Sequence, residues 1–192
     1  MKRIVLASGS PRRKTLLEWA ELDFDVISSD ADESFPPSLS PEDASVHVAR
    51  TKAIAVRGSE KYKSLGEALP ILAADTMVVL DGEIIGKPAD RSDAIAILSR
   101  LSGRTHTVVT GVCIILKESE ICFSDITEVD FHEITPEGIA HYVDRYKPYD
   151  KAGAYAIQEW IGVVGIKAIH GDFYNVMGLP VSRVVSALKS AL

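Results

Sequence analysis

The sequence predicts a mixed α/β fold with long central strands, and three observations carry that reading. Short apolar runs bounded by turn residues alternate with segments whose apolar residues recur at helical spacing. Two long β-prone segments, Thr105–Leu116 and Ile121–Phe131, follow one another with only a polar turn between them. The order of elements is not a regular βαβ repeat, which disfavours a purely parallel, doubly wound sheet. The chain has no internal repeat or low-complexity segment, so residues 1–192 read as one compact domain in one or two lobes.

Taken in order, Ile4, Val5 and Leu6 read as a buried strand that breaks at Ser8-Gly9-Ser10 and becomes helical at Pro11. Ser10 is a good N-cap and Pro11 suits the first helical position. Arg12 and Arg13 then stand in the first turn, where the helix dipole favours anions, and Arg13 replaces the Glu of a capping box. Two readings stay open. Either a polyphosphate sits here, held by backbone amides, the Ser8 and Ser10 hydroxyls and both guanidinium forks, or this is an ordinary strand-to-helix corner with two solvated arginines. On the dipole argument alone, removing Arg13 should leave the ligand-free protein equally or more stable.

Leu16, Leu17 and Ala20 form the core face of this first helix, and Phe24–Ile27 is a short strand leading into the acidic loop Asp30–Glu33. Ser40-Pro41-Glu42-Asp43 has helix-start chemistry, and Val46, Ala49, Ala53 and Val56 continue it to Arg57, with Lys52 on board. Gly58–Leu69 reads as polar linker. Ile71–Ala74 is an apolar strand ending at Asp75-Thr76, and Met77–Leu80 pairs with Glu83–Ile85 across an Asp81-Gly82 turn. Ser92 is the expected cap of a helix that stops at Gly103. After the two long strands, Thr135-Pro136-Glu137 opens a helix to Arg145, and Lys147–Gln158 is a loop entering a strand. An apolar run, Val163–Ile169, leads to a turn at His170-Gly171-Asp172. A final helix follows, with Val181, Val184, Val185 and Leu188 inward.

Composition excludes several classes of function. With 21 Lys and Arg against 27 Asp and Glu, the net charge of −6 argues against a general nucleic-acid or membrane-surface binder. No apolar run reaches the length of a membrane span, and nothing near Met1 resembles a secretory signal, so a cytoplasmic protein is expected. Cys113 and Cys122 form neither a CxxC nor a Cys/His cluster, and both read as buried, reduced thiols. The five histidines are scattered, without zinc spacing. No P-loop and no nucleophile elbow occurs, which argues against covalent catalysis.

What remains is a phosphate-cradling helix start, carboxylates and cations. Asp75 at the end of an apolar strand is either a catalytic carboxylate or a turn former. Glu33 either joins it around a divalent cation or belongs to a solvated acidic loop. Lys52, Lys87 and Lys151 are either phosphate ligands or solvated lysines. Metal-assisted attack of water on a phosphoric anhydride needs these parts and little else.

The motifs LASGSPRR, AADT followed by VLDGEIIGKP, DKAGAYAIQ and NVMGLPV together resemble the Maf family of nucleotide pyrophosphatases over nearly the whole chain. The resemblance implies a Maf/Ham1-like (ITPase-like) fold, an elongated mixed sheet flanked by helices, with two lobes and a central cleft. It implies cleavage of a nucleoside triphosphate to monophosphate and pyrophosphate with Mg²⁺ or Mn²⁺. Asp75 resembles the family's proton acceptor and a metal ligand, and Glu33 its metal-associated acid. Arg12, Arg13, Lys52 and Lys87 resemble its phosphate-binding cations. Arg13, Thr76 and Gln158 fall in motifs that resemble the dTTP/UTP branch. Ala156 stands where that branch commonly has Gly, and Glu159-Trp160 where it has small residues, so CTP remains the open case. A homodimer stays open. Two other readings remain: a pyrophosphatase for 7-methyl-GTP or another modified nucleotide, and a nucleotide-binding regulator of cell division or septum formation.

Overall fold

The structure, a computed structural model, describes residues 3–66 and 68–191. Met1 and Lys2 of the first motif, Glu67 of the expected linker and Leu192 lie outside the described residues. The chain is α/β. In order, its elements are β1 (Ile4–Leu6), α1 (Pro11–Trp19), β2 (Phe24–Val26), α2 (Pro41–Gly58), α3 (Glu60–Lys63), β3 (Ile71–Leu80), β4 (Glu83–Ile85) and α4 (Arg91–Leu101). Then come β5 (Thr105–Ile115), β6 (Glu120–Phe131), α5 (Pro136–Tyr146), a 3-10 turn at Ala152–Ala154, α6 (Trp160–Gly165), β7 (Ile166–His170), α7 (Phe173–Met177) and α8 (Val181–Ala191).

Among the described residues seven strands make one mixed sheet in the order β2-β1-β3-β5-β6-β7, with β4 paired to β3 off that path. β1 runs parallel to both β2 and β3, whereas β4 turns back on β3 and β7 pairs antiparallel with β6. The β3–β4 turn uses Asp81 and Gly82 at φ 53° and 81°, the left-handed pair that an Asp-Gly hairpin requires. The chain divides into two compact units, one of residues 1–75, 110–125 and 178–192, the other of 76–109 and 126–177.

In the first unit α2 packs on β1, β3 and β5. Ala49, Ala53 and Val56 of the helix share a buried cluster with Val5, Ile71, Ala73, Cys113 and Ile115. Helix and sheet approach closely because Gly111 has no side chain. A Cβ there would fall 2.2 Å from the carbonyl carbon of Ser45, inside the α2 backbone. Ser40 caps α2 by accepting from the Asp43 N–H at 3.1 Å. In the second unit, buried Ala94 and Leu98 of α4 and Ile139 and Tyr142 of α5 supply apolar faces. Arg91 binds Asp144 through both guanidinium arms, at 2.6 and 2.9 Å, tying those two helices together.

Several sequence expectations need correction. β3 does not end at Ala74 but runs on through Asp75 and Thr76, because Lys52 satisfies the Asp75 carboxylate and the strand need not break to hydrate it. The expected linker contains α3, capped by Ser59. The N-cap of α4 is Asp90 rather than Ser92, its carboxylate accepting from the Asp93 N–H at 2.9 Å. Lys147–Gln158 enters a 3-10 turn and then α6, not a strand, and Gly153 and Ala154 both take positive φ, which extended backbone excludes. Val163 and Val164 accordingly lie on α6, exposed. Ala20, Val181 and Val185 are half-buried, so α8 buries Val184 and Leu188 as its inner row.

Candidate active site

The first unit brings Ser8, Arg13, Glu33, Lys52 and Asp75 together. The reason lies in strand alternation. Ile71 and Ala73 face the buried side chains of α2, and Asp75 is the next residue of that row. Lys52, adjoining Ala53 on the helix, meets it there: its Nζ donates to Asp75 Oδ1 at 2.7 Å and pairs with Glu33 Oε1 at 2.9 Å. Lys52 and Asp75 side chains are 11% and 15% exposed while Glu33 is 51% exposed, so the pair is largely withdrawn from water and Glu33 reaches it from the solvent side. Thr76, next along β3, faces the opposite side of the strand.

The Arg pair splits. Arg13 is buried, its Nε donating to the Gly178 carbonyl at 2.7 Å and its Nη1 to Ser8 Oγ at 3.2 Å. Burial lowers the Arg13 pKa; the Asp75 and Glu33 carboxylates oppose that shift, while Arg12 adds to it. These charges therefore act on one another as a group. Arg12 is half-buried on the same turn. Ser10 stands at the N-cap position but makes no side-chain cap. Ser8 Oγ instead accepts from the Ser10 N–H at 3.2 Å, so the upstream serine organises the corner. Arg13 thus spends its Nε and Nη1 on partners inside the fold, while Arg12 stands on the same turn without that burial.

The second unit holds Thr76, Lys87 and Gln158, the last two exposed. Gly86, beside Lys87, accepts from the Gly153 N–H at 3.1 Å, which binds the Lys87 loop to the 150–158 segment. That segment is held from within. Buried Lys151 pairs with Asp150 at 2.7 Å and with Glu159 at 3.7 Å. The Tyr142 hydroxyl donates to Glu159 and accepts from the Ala156 N–H at 3.2 Å. Gly153 lies against Val78, whose Cγ2 would be 2.8 Å from a Cβ. Gln158 therefore projects from a fixed backbone.

The family described as Maf-like protein matches residues 3–191. The chain belongs to that family. A dTTP/UTP pyrophosphatase of Parabacteroides distasonis is 47% identical over 189 residues, covering 97% of this chain and 95% of its own. One of Porphyromonas gingivalis is 46% identical over 191 residues, covering 97% and 93%. The Ham1 protein of Staphylococcus aureus aligns over 68% of this chain and 72% of its own at 17% identity, with a TM-score of 0.43. No helix among the described residues of this Maf-like chain is long and apolar enough to cross a membrane.

The donor set of the site suits a hard divalent cation on a phosphate. Asp75 and Glu33 offer two carboxylates, the number Mg²⁺ takes when substrate oxygens and water complete its shell. Among the described residues, the group of three ligating side chains lies elsewhere: Cys113, Glu120 and Cys122 have ligand atoms within 4.8 Å of one another. Cys122 is exposed, against the expectation that both thiols are buried, and the two cysteines are neighbours in space. Sequence reasoning also missed the Gly178 carbonyl as the anchor of Arg13, and Tyr142 and Glu159 as supports of the 150–158 segment. Each pairing joins residues far apart in the chain, and no local pattern announces it.

Proposed function

We propose that this protein hydrolyses dTTP and UTP between the α and β phosphates, releasing the nucleoside monophosphate and pyrophosphate. The observation that carries this reading is the Lys52 ammonium bound to both Asp75 and Glu33, the Lys52–Asp75 pair largely withdrawn from water beside Arg13 and Glu33 reaching it from the solvent side. Carboxylate and cation are held there in fixed orientation, as general-base attack of water on an anhydride requires. The names of relatives near 47% identity over almost the full chain support the same substrates.

In this mechanism Asp75 takes the proton of the attacking water, and Lys52 holds that carboxylate in place. Arg12, Arg13 and Lys87 offset charge on the departing pyrophosphate, and the Ser8 and Ser10 corner holds the phosphate end. Asp75 and Glu33 are the residues that would hold Mg²⁺ or Mn²⁺, which when bound polarises phosphate oxygens. Gln158 and Thr76 read the base. An amide offers both a donor and an acceptor, matching the O4/N3–H edge of uracil or thymine. Because a flipped amide would match the reversed edge of cytosine, discrimination rests on Thr76 and nearby backbone groups fixing its orientation, and a wrong base then leaves polar groups unpaired. The whole chain, residues 1–192, acts as a single pyrophosphatase domain in the cytoplasm.

The test is product analysis with divalent metal over dTTP, UTP, CTP, dATP, dGTP and 7-methyl-GTP. Monophosphate and pyrophosphate should appear together, with kcat/KM higher for dTTP and UTP than for the purines. Orthophosphate with a nucleoside diphosphate as primary products would overturn the cleavage site, and equal or better efficiency on 7-methyl-GTP would overturn the base assignment. Tight binding without turnover would point to a regulator.

A further inference from the structure

We propose that Cys113 and Cys122 form a reversible intramolecular disulfide, with Cys122 as the sulfur that meets a low-molecular-weight disulfide from solution. The argument begins with register. Next to the turn, the Leu116 N–H donates to the Ser119 carbonyl at 2.8 Å, and at the far end of the same strand pair the Phe131 N–H donates to the Arg104 carbonyl at 3.0 Å. The same number of residues separates these bonded pairs on β5 and on β6, so the strands run between them with no net slip. The third pair in from the turn is Cys113 opposite Cys122. Bonded and non-bonded pairs alternate along antiparallel strands, which makes this a non-hydrogen-bonded pair, with Cα atoms about 4.5 Å apart and side chains on the same face. That separation falls within the span a disulfide bridges, roughly 4.4–6.8 Å. The side chains agree, for the two sulfurs and a Glu120 oxygen lie within 4.8 Å of one another.

Roles follow from access. Cys113 is 0% exposed, packed with Ala49 and Ala53 of α2, whereas Cys122 is open to solvent. A cavity of about 290 Å³ near the turn is lined by Ile115 and Glu120, two residues along from Cys113 and Cys122 on their strands, together with Arg57, Lys117, Glu118 and Ser119. Burial raises the pKa of both thiols, so exposure and not acidity sets Cys122 as the one that meets the reagent first. The exchange balances with glutathione disulfide as oxidant. The Cys122 thiolate attacks one glutathione sulfur and expels a glutathione thiolate. The Cys113 thiolate, its proton passed to solvent, then attacks the Cys122 sulfur and expels the second, leaving one protein disulfide and two reduced glutathiones.

The experiment exposes the reduced full-length protein to glutathione disulfide near pH 8, then alkylates it and measures intact mass. A single chain should lose about 2 Da from its two thiol hydrogens, resist alkylation, yield a digest fragment joining the two cysteines, and recover with dithiothreitol. Cys113→Ser should instead keep glutathione on Cys122, gaining about 300 Da, and folded Cys122→Ser should not react. Brief alkylation of the wild-type protein should label Cys122 before Cys113, a readout that needs no variant to fold. A lasting glutathione adduct on wild-type Cys122, two thiols still open to alkylation, or a disulfide between two chains would each overturn the proposal.

Discussion

Replacing Arg13 with Ala sets two physical arguments against each other. Helix position alone says the change relieves an unfavourable cation at a helix N-terminus, a gain of about 0.3–1 kcal/mol. The structure adds what the side chain does. Its Nε bond to the Gly178 carbonyl, at 2.7 Å, is charge-assisted and buried, worth about 1.5–3 kcal/mol. The Ser8 bond, at 3.2 Å, is longer and worth about 1 kcal/mol. Asp75 and Glu33 also lose a facing positive charge. Set against the dipole gain, these losses leave the ligand-free protein less stable by about 2–4 kcal/mol, or roughly 5–12 °C in Tm for a chain of this length. Differential scanning calorimetry without nucleotide is the assay, with Arg13→Lys beside it. Lysine keeps the charge but loses the fork, so most of the Tm loss should persist. A Tm for Arg13→Ala within about 2 °C of wild type would refute the structural anchoring, because the dipole relief alone could then account for it.

Three further outcomes are expected. Asp75→Asn keeps shape and hydrogen-bonding reach but not basicity, so turnover should fall roughly 10²–10⁴-fold in a protein whose circular dichroism is unchanged; near-normal turnover would assign the proton to another group. Gly111→Ala drives a Cβ into the Ser45 backbone at 2.2 Å and should cost about 3 kcal/mol in urea unfolding, whereas Gly58→Ala, with nothing within 4 Å, should cost nothing measurable. His106 is pushed down to about 4 by burial, with its Nε2 bonded to the Tyr155 hydroxyl at 2.7 Å. The unfolded chain then takes up a proton near pH 6.5 that the folded chain refuses, so stability falls as pH drops from about 6.5 to 4, by up to about 3 kcal/mol. His106→Gln should flatten that slope, and an unchanged slope would place the acid sensitivity elsewhere.

Much of the local structure was legible because its causes are local. Pro11, Pro41 and Pro136 start helices where a missing N–H costs nothing, Asp81-Gly82 accepts the left-handed turn, and apolar spacing separates α2 and α5 from β5 and β6. Where the sequence misled, a distant partner had changed the local balance. A carboxylate within an apolar run reads as a strand end until Lys52, on another element, lets the strand continue through it. An arginine at a helix start reads as an anion ligand or a solvated side chain until the Gly178 carbonyl, from the far end of the chain, accepts a hydrogen bond from it.

The sequence by itself determined the α/β class, the order of the elements apart from α3 and the 152–165 segment and, through four motifs, the family. Those properties depend on residue types at short spacing, where backbone sterics and apolar periodicity decide. The tertiary structure alone decided that Arg13 is an anchor, that Asp75, Lys52 and Glu33 form one cluster, and that two isolated cysteines face each other across β5 and β6. The first two join residues widely separated along the chain and the third depends on the register of one hairpin; strand register and how closely a helix approaches a sheet at a single glycine fix them, and neither quantity is written in any short stretch of residues.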